Sequence, residues 1–518
     1  MNIRPVILFP LLFAALLLPV LCLAGAPDTQ NLVFYEIFTG SFSDGNGDGI
    51  GDLPGVLSRL DYLNDGNPDS GTSLGVEGIW LTPVFASPSY HKYDVSDYYT
   101  IDPAFGTMED LRNLIDGCHT RGIRLILDLP LNHTSRTHPW FRSFVNARTL
   151  HNEESPYYDY YICREADDVP AGHACWPIAG TDFVYEGNFS RDMPELNYDC
   201  EAVRREALEI ARFYLDMGVD GFRFDAAKYI YYGDNARSAD FWDWYTGELR
   251  AVRPDVWMVA EVWDSDTVTD QYTPFVNCFD FTMSQPGGLI AETAAAGDVN
   301  RYTAYVESYV NSLRARRADA VMVPFVSNHD MDRAAGYLPD SNGRMRTAAN
   351  LYILGPGAPF IYYGEEIGLR GSRGAAATDA NRRAAMRWGD GDPVRDPSGT
   401  DYNKQTEATV SSMLEQPGSL LHYYRRLIAI RKAHPEIARG TYEALALEDT
   451  KLGGFISAWE GSSVLVLHNT TQRILTLDLS ADPRLAGFSE ISAFIGSGFA
   501  TLEGGVLTLE AQTSAVLR

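Results

Sequence analysis

Short apolar runs recur along this chain at intervals that each leave room for one helix, and that alternation constrains the fold more than any other feature. The runs fall at 33–38, 78–83, 124–129, 221–225, 257–262, 278–282, 320–326 and 359–363. Between the third and fourth runs, Val203, Ala207, Ile210, Ala211 and Tyr214 share one face of a helix predicted over 201–217, and Gly218 ends it. Strands that alternate with helices predict an α/β chain built as a parallel (β/α)8 TIM barrel. The interval after the third run is rich in Tyr, Pro, His and Gly and too long for a plain connection, so it predicts an inserted domain. A last amphipathic helix is predicted over 419–439. Beyond it, alternating runs at 455–459, 463–468 and 474–479 between Gly and Asp turns predict a C-terminal antiparallel β domain, a sandwich. The expected division is therefore 1–26 leader, 27–132 barrel, 133–192 insert, 193–440 barrel and 441–518 C-terminal domain.

The leader reads as a signal peptide. Arg4 gives a positive start, 6–21 is almost wholly apolar, and Ala24-Gly25-Ala26 offers an A-x-A cleavage site. The apolar stretch is short for a membrane span, so an exported protein, periplasmic or secreted and without a membrane span, is expected. Lipid attachment at Cys22 is the alternative, with Leu21 bulkier than such sites prefer. Export permits disulfides. Of the remaining cysteines, Cys163 and Cys175 form the best candidate pair, close together in an irregular stretch. Cys118 and Cys278 read as buried thiols, Cys200 completes the set, and the spacings match no zinc site.

The formal charge is -27, with lysine only at Lys92, Lys228, Lys404, Lys432 and Lys451. So acidic a surface repels phosphate backbones, which excludes nucleic acid as a partner and suits a neutral substrate. A monomer is expected.

Barrel enzymes carry their functional residues at the C-terminal ends of the strands, and here those ends break the apolar runs with polar groups. The third run leads through Asp128 to Asn132 and His133. The fourth carries Arg223, Asp225 and Lys228, the fifth Glu261, and the seventh leads to Asn328, His329 and Asp330. One carboxylate in such a place is ordinarily a cap or an ion-pair partner. Carboxylates at three strand ends of one barrel point to paired-carboxylate chemistry. Glycoside hydrolysis needs one carboxylate to attack the anomeric carbon and one carboxylic acid to protonate the leaving oxygen. The acid must hold its proton near neutrality. The attacking group must stay ionised, and Arg223, on the same strand face as Asp225, can keep it so.

A second pattern is independent. Asp44, Asn46, Asp48 and Asp52 set side-chain oxygens at positions 1, 3, 5 and 9 of a loop, with Ile50 offering its carbonyl at position 7 and Gly49 the sharp turn. Alternating hard oxygens suit Ca2+. Gly55 at position 12 makes this no complete EF-hand, and the plainer alternative is an acidic Asp-Gly turn.

The four strand-end segments resemble the signature regions of the α-amylase family of glycoside hydrolases. Met193-Pro194-Glu195-Leu196-Asn197 resembles the fifth, and the likeness runs from about Leu32 to the end. It implies Asp225 as nucleophile, Glu261 as general acid/base and Asp330 as the third carboxylate that binds and distorts the sugar. Arg223, His133 and His329 would line the same subsite, with Asp128 a structural aspartate beneath it. Tyr93 resembles the tyrosine that stacks on that sugar. Asp94 resembles a residue that, in relatives cutting from chain ends, grips the terminal sugar. Lys228 resembles a residue of the leaving-group side, where Tyr229 replaces a frequent histidine. Asn132 matches a ligand of a second calcium site in many α-amylases, whose usual histidine is again Tyr229 here. The likeness is greatest to exported bacterial α-amylases intermediate between the oligo-1,6-glucosidase and neopullulanase subgroups, and Met193 in place of Gln sets the chain apart from typical oligo-1,6-glucosidases. The resemblance implies retaining cleavage of α-1,4-glucosidic bonds in α-glucans and maltooligosaccharides, with the two carboxyl groups about 5–5.5 Å apart. It supports calcium at the Asp44 loop. Neighbouring readings are α-glucosidase, oligo-1,6-glucosidase or neopullulanase specificity. An inactive carbohydrate-binding member is a further alternative, opposed by the presence of all three carboxylates.

Overall fold

The structure is a computed structural model that describes residues 31–518 except 296 and 375–377; the leader 1–26 and Cys22 lie outside the described residues. Seven parallel strands form one sheet. In chain order they are Phe34–Ile37, Gly78–Leu81, Arg124–Leu129, Gly221–Phe224, Trp257–Ala260, Asn277–Cys278 and Phe360–Tyr362. The last pairs with the first. The run predicted at 320–326 is the exception. It is reduced to two parallel bridges, Phe279 to Val323 and Phe325 to Phe360, and these close the barrel at its seventh position.

Side-chain alternation along these strands divides the molecule. Tyr35, Ile37, Leu125, Leu127, Leu129, Phe222, Phe224 and Met258 face the surrounding helices in the main core. Phe34, Trp80, Ile126, Trp257 and Phe360 fill the barrel interior. Space there is tight. A Cβ on Gly78 would stand 2.3 Å from the Phe34 ring, and one on Gly221 would stand 1.8 Å from the Trp257 carbonyl oxygen. Continuing the same inward face by two or four residues puts Glu36, Asp128, Arg223, Asp225 and Glu261 at the C-terminal mouth. The period-2 rule thus supplies both an apolar plug and a polar rim.

The helix Glu201–Met217 forms as predicted, and Gly218 adopts the left-handed conformation at its end. The last barrel helix is two helices, Leu420–Ala433 and Pro435–Arg439. Pro435 has no N–H and its ring would clash with the preceding turn, so the predicted continuous helix over 419–439 breaks there. The insert carries a three-stranded antiparallel sheet in the order Cys163–Glu165, Phe183–Glu186, Cys175–Pro177. That order corrects the proposed disulfide, since all described cysteines are free thiols. Cys163 pairs with Tyr185 and Cys175 with Glu186. A whole strand separates the two, about 9–10 Å, and they face opposite sides of the sheet, beyond the reach of an S–S bond. After Gly440, a five-stranded and a three-stranded antiparallel sheet share a leucine-rich core that includes Leu465, Leu467, Leu507 and Leu509. No helix among the described residues is long and apolar enough to cross a membrane.

Candidate active site

Arg223 is the hub of the barrel mouth. Fully buried, it donates from one terminal nitrogen to both oxygens of Asp128, at 2.8 and 3.0 Å, and to Asp225 Oδ1 at 2.6 Å. Its other terminal nitrogen meets Glu261 Oε2 at 2.9 Å. The third, fourth and fifth strands are hydrogen-bonded neighbours, so three carboxylates from three strands converge on one guanidinium. Glu261 Oε2 also accepts the backbone N–H of Ala226 at 3.0 Å. Ala226 sits at φ 49 and ψ 41, a left-handed conformation unfavourable for a residue with a Cβ, and this turn aims its N–H at the carboxylate. Both contacts fall on Oε2, and the contact of Asp225 falls on Oδ1. Glu261 Oε1 and Asp225 Oδ2 are left for chemistry.

A second chain of contacts descends from Asp330. Its Oδ1 accepts from Arg383 at 2.7 Å, and its Oδ2 meets His329 Nε2 at 3.0 Å. His329 Nδ1 donates to Glu36 Oε1 at 2.6 Å. Tyr93 stacks on the His329 ring at 5.4 Å, contacts His329 Nε2 at 2.6 Å and donates to Asp128 Oδ2 at 2.8 Å.

The charges sort themselves by these partners. Burial alone would discharge His329, but Asp330 and Glu36 overrule it and raise it to about 10, so it is a cation at neutral pH. Burial works against ionised Asp330 too, yet His329 and Arg383 hold it well below the usual carboxylate range. Burial pushes up Glu261 and Asp225, with Arg223 pulling against it in both, and carries Asp128 to about 7. Among the described residues, the cations paired with the carboxylates of Glu36, Asp128, Asp225, Glu261 and Asp330 are Arg223, His329 and Arg383. With that imbalance, the upward shift of Glu261 suits it to hold a proton, while the 2.6 Å contact of Asp225 with Arg223 favours its ionised form. Glu261, with one oxygen free of partners, is equipped to deliver one.

These groups open into a cleft of about 1010 Å³ lined by Tyr93, His133, Asp225, Glu261, Asp330 and Trp263, among others. His133 is buried, burial lowers it to about 4, and its Nε2 has no partner within the protein. It is a neutral ring awaiting a hydroxyl. Lys228 lies in an adjoining pocket of about 320 Å³ with Phe189, Tyr229, Glu261 and Trp263, and donates to Trp263 O at 2.8 Å and Asp264 at 2.9 Å. Asp94 is not brought to the cleft. It is 6% exposed, and its Oδ1 accepts from Ser87 at 2.7 Å and from Ser89. Tyr90 and His91 line the cleft instead. Sequence reasoning missed Glu36 and Arg383. A lone acid inside the apolar run 33–38 was the available signal for Glu36; Arg383, in an arginine-rich loop, offered none.

The Asp44 loop lies apart from this constellation. Asp44 accepts backbone N–H groups from Asn46, Gly47 and Gly49, Asn46 accepts from Asp48, and Asp48 from Ile50. Asp52 Oδ1 caps the helix Leu53–Ser58 through Gly55 N at 2.7 Å, while its Oδ2 is buried without a donor. Burial, with Asp44 adding to it, pushes the Asp52 carboxyl up. An orphaned carboxylate oxygen beside a second acid is what a hard cation satisfies, so the donor set fits one. Among the described residues no group of three or more His, Cys, Asp or Glu side chains converges on a metal position. The shell would therefore depend on Asn46 and the Ile50 carbonyl as well.

Residues 36–440 match the family model described as "Alpha amylase, catalytic domain". The chain is 34% identical over 452 residues to "Alpha-amylase 3" of Dictyoglomus thermophilum, covering 86% of this chain and 85% of that one. It is 29% identical to the oligo-1,6-glucosidase of Parageobacillus thermoglucosidasius, covering 86% and 90%. The solved structure of Eubacterium rectale Amy13B superposes with a TM-score of 0.86 at 32% identity, covering 94% and 95%.

Proposed function

Because the chain belongs to the α-amylase family of glycoside hydrolases, we propose that it cleaves internal α-1,4-glucosidic bonds of starch-like glucans and maltooligosaccharides with retention at the anomeric carbon. The observation that carries this reading is the pair of unengaged oxygens, Asp225 Oδ2 and Glu261 Oε1, held by one guanidinium at the floor of an open cleft. Glu261 Oε1–H protonates the glycosidic oxygen as Asp225 Oδ2 attacks C1, giving a glycosyl ester and the released chain. Glu261, now ionised, takes a proton from water, whose oxygen displaces Asp225 and restores the starting α-configuration. Asp330 accepts from a hydroxyl of the bound sugar, the unpartnered His133 Nε2–H donates to another, and Tyr93, fixed by His329, forms its stacking face. Lys228 and Trp263 flank the leaving-group side. Internal cutting is favoured over release from chain ends because Asp94, the expected terminal-sugar clamp, is not among the residues that line the cleft. The protein is read as an exported monomer, periplasmic or secreted.

The test is a time course on soluble starch with proton NMR of fresh maltooligosaccharide products. Iodine staining is expected to fall well ahead of reducing-sugar release, and the α-anomer to appear first. Steady release of glucose alone overturns internal cutting, and β-anomer appearing first overturns the retaining mechanism.

Calcium is proposed at the Asp44 loop, held by Asp44, Asn46, Asp48, Ile50 and Asp52. An ion binding only the native state there adds about 2.7 kcal/mol at a hundredfold excess over Kd. Chelation is accordingly expected to lower the thermal midpoint while turnover at moderate temperature changes little. An Asp48→Ala variant should have the lower midpoint already and not respond to chelator. If it melts like the parent in both conditions, the loop holds no calcium.

A further inference from the structure

Behind the cleft wall, two buried carboxylates face each other with no metal-like arrangement around them. Glu186 is 1% exposed and Glu195 fully buried. Burial, with Glu186 contributing, raises Glu195 to about 7. Asn132, the residue that matched a second calcium site, lies beside them and hydrogen-bonds Glu195. The residues present do not fit that ion, because the Asn188 amide nitrogen occupies the position between the two acids and the Arg164 guanidinium stands at Glu186. Glu186 Oε1 meets His173 Nδ1 at 2.6 Å, and its Oε2 meets Arg164 at 3.3 Å. Glu195 Oε1 accepts the backbone N–H of Asn188 at 3.0 Å. The remaining position, between Glu186 Oε1 and Glu195 Oε2, is filled by the Asn188 side-chain nitrogen, at 2.9 and 3.0 Å. Its orientation is fixed, since Asn188 Oδ1 accepts from Ala174 N at 2.9 Å and only the amide nitrogen can face the acids.

We infer that Asn188 is a positioning residue standing in for a second cation. Its amide bridges Glu186 and Glu195 and so ties together the two ends of the 187–194 segment. Three cleft-lining residues, Phe189, Ser190 and Met193, belong to that segment. Phe189 rests on His133 at 5.3 Å and on Tyr229 at 4.6 Å. Glu195 itself bridges to His133 through the backbone. The bridge therefore connects the buried acids to the wall where the leaving-group sugar is proposed to lie. Two donor hydrogens on one nitrogen do for two carboxylates what an ion would do, without a dissociable ligand.

Replacing that nitrogen by oxygen should create a cation site, because three carboxylates would then converge where two and an amide met. The test measures calcium bound per chain after gel filtration, together with the thermal midpoint in calcium and in chelator. Asn188→Asp is expected to bind one more ion per chain than the parent, and to melt well below it in chelator but near it in millimolar calcium. Asn188→Ala removes the bridge without supplying a ligand. It is expected to bind as much calcium as the parent, to melt several degrees lower in either condition, and to raise KM for maltooligosaccharides more than it lowers kcat. If Asn188→Asp folds only in calcium, the inference stands. If it binds no further ion, or fails to fold in calcium as well, the inference falls. It also falls if Asn188→Ala loses a calcium that the parent holds, since the native cluster would then be a metal site. The stoichiometry and melting readouts do not depend on the reaction proposed above.

Discussion

Asp225→Asn is expected to lower kcat on maltooligosaccharides by about 10⁴-fold or more while the thermal midpoint stays level or rises. The amide is nearly isosteric, and its oxygen can keep the 2.6 Å contact with Arg223 that Asp225 Oδ1 makes. Its nitrogen then takes the place of Oδ2, where it has no lone pair to attack C1 and can form no ester. Stability moves the other way because Asp225 is a buried acid whose ionisation is opposed by burial and by Asp330. Removing its charge relieves repulsion in a mouth with more acids than cations. An activated fluorosugar that traps the intermediate should label Asp225 in the parent. Labelling of another carboxylate would end the assignment. A midpoint several degrees lower, with activity lost in proportion, would make the residue structural.

The barrel and most of the mouth were legible because one local rule governs both. Strand side chains alternate, so a polar residue in an apolar run near the strand's C-terminal end faces the axis at the rim. Arg223 and Asp225, two apart on one strand, are the plainest case, and Arg223 reaches both Asp128 and Glu261 from that position. The family resemblance gave these positions their expected roles. What stayed hidden is tertiary. Glu36 and His329 are 293 residues apart, and only barrel closure makes them a pair. Arg383 matters because it meets Asp330, Tyr90 and the His329 carbonyl from a loop without a pattern. Cys163 and Cys175 are near in sequence, but the sequence does not say that the strand Phe183–Glu186 passes between them. The seventh strand was readable as an apolar run, though not as a pair of bridges. Pro435 was a local signal, and its effect on the final helix follows from chemistry visible in the chain.

Glu261→Gln tests the other half of the mechanism, and its expected signature is a dependence on the leaving group rather than a uniform loss. Glutamine can keep the two contacts of Oε2, from Ala226 N–H and Arg223, by placing its oxygen there. Its NH2 then faces the cleft as a donor that cannot release a proton. On starch, where the departing alkoxide needs protonation, turnover should fall by about 10²–10⁴-fold. On an α-glucoside with an acidic phenol as leaving group, the first step needs little help and should be largely spared. The loss then moves to the second step, where water lacks its base, so a burst of phenol should precede a slow steady state. The pH profile of the parent gives an independent view. Burial raises Glu261, and the acid must be protonated in the free enzyme, so kcat/KM on starch should decline as pH rises through its folded pKa. That alkaline limb should flatten on the activated glucoside. Equal losses on both substrates, with the same alkaline limb on each, would remove Glu261 from the acid/base role and leave its contact with Arg223 as its only function.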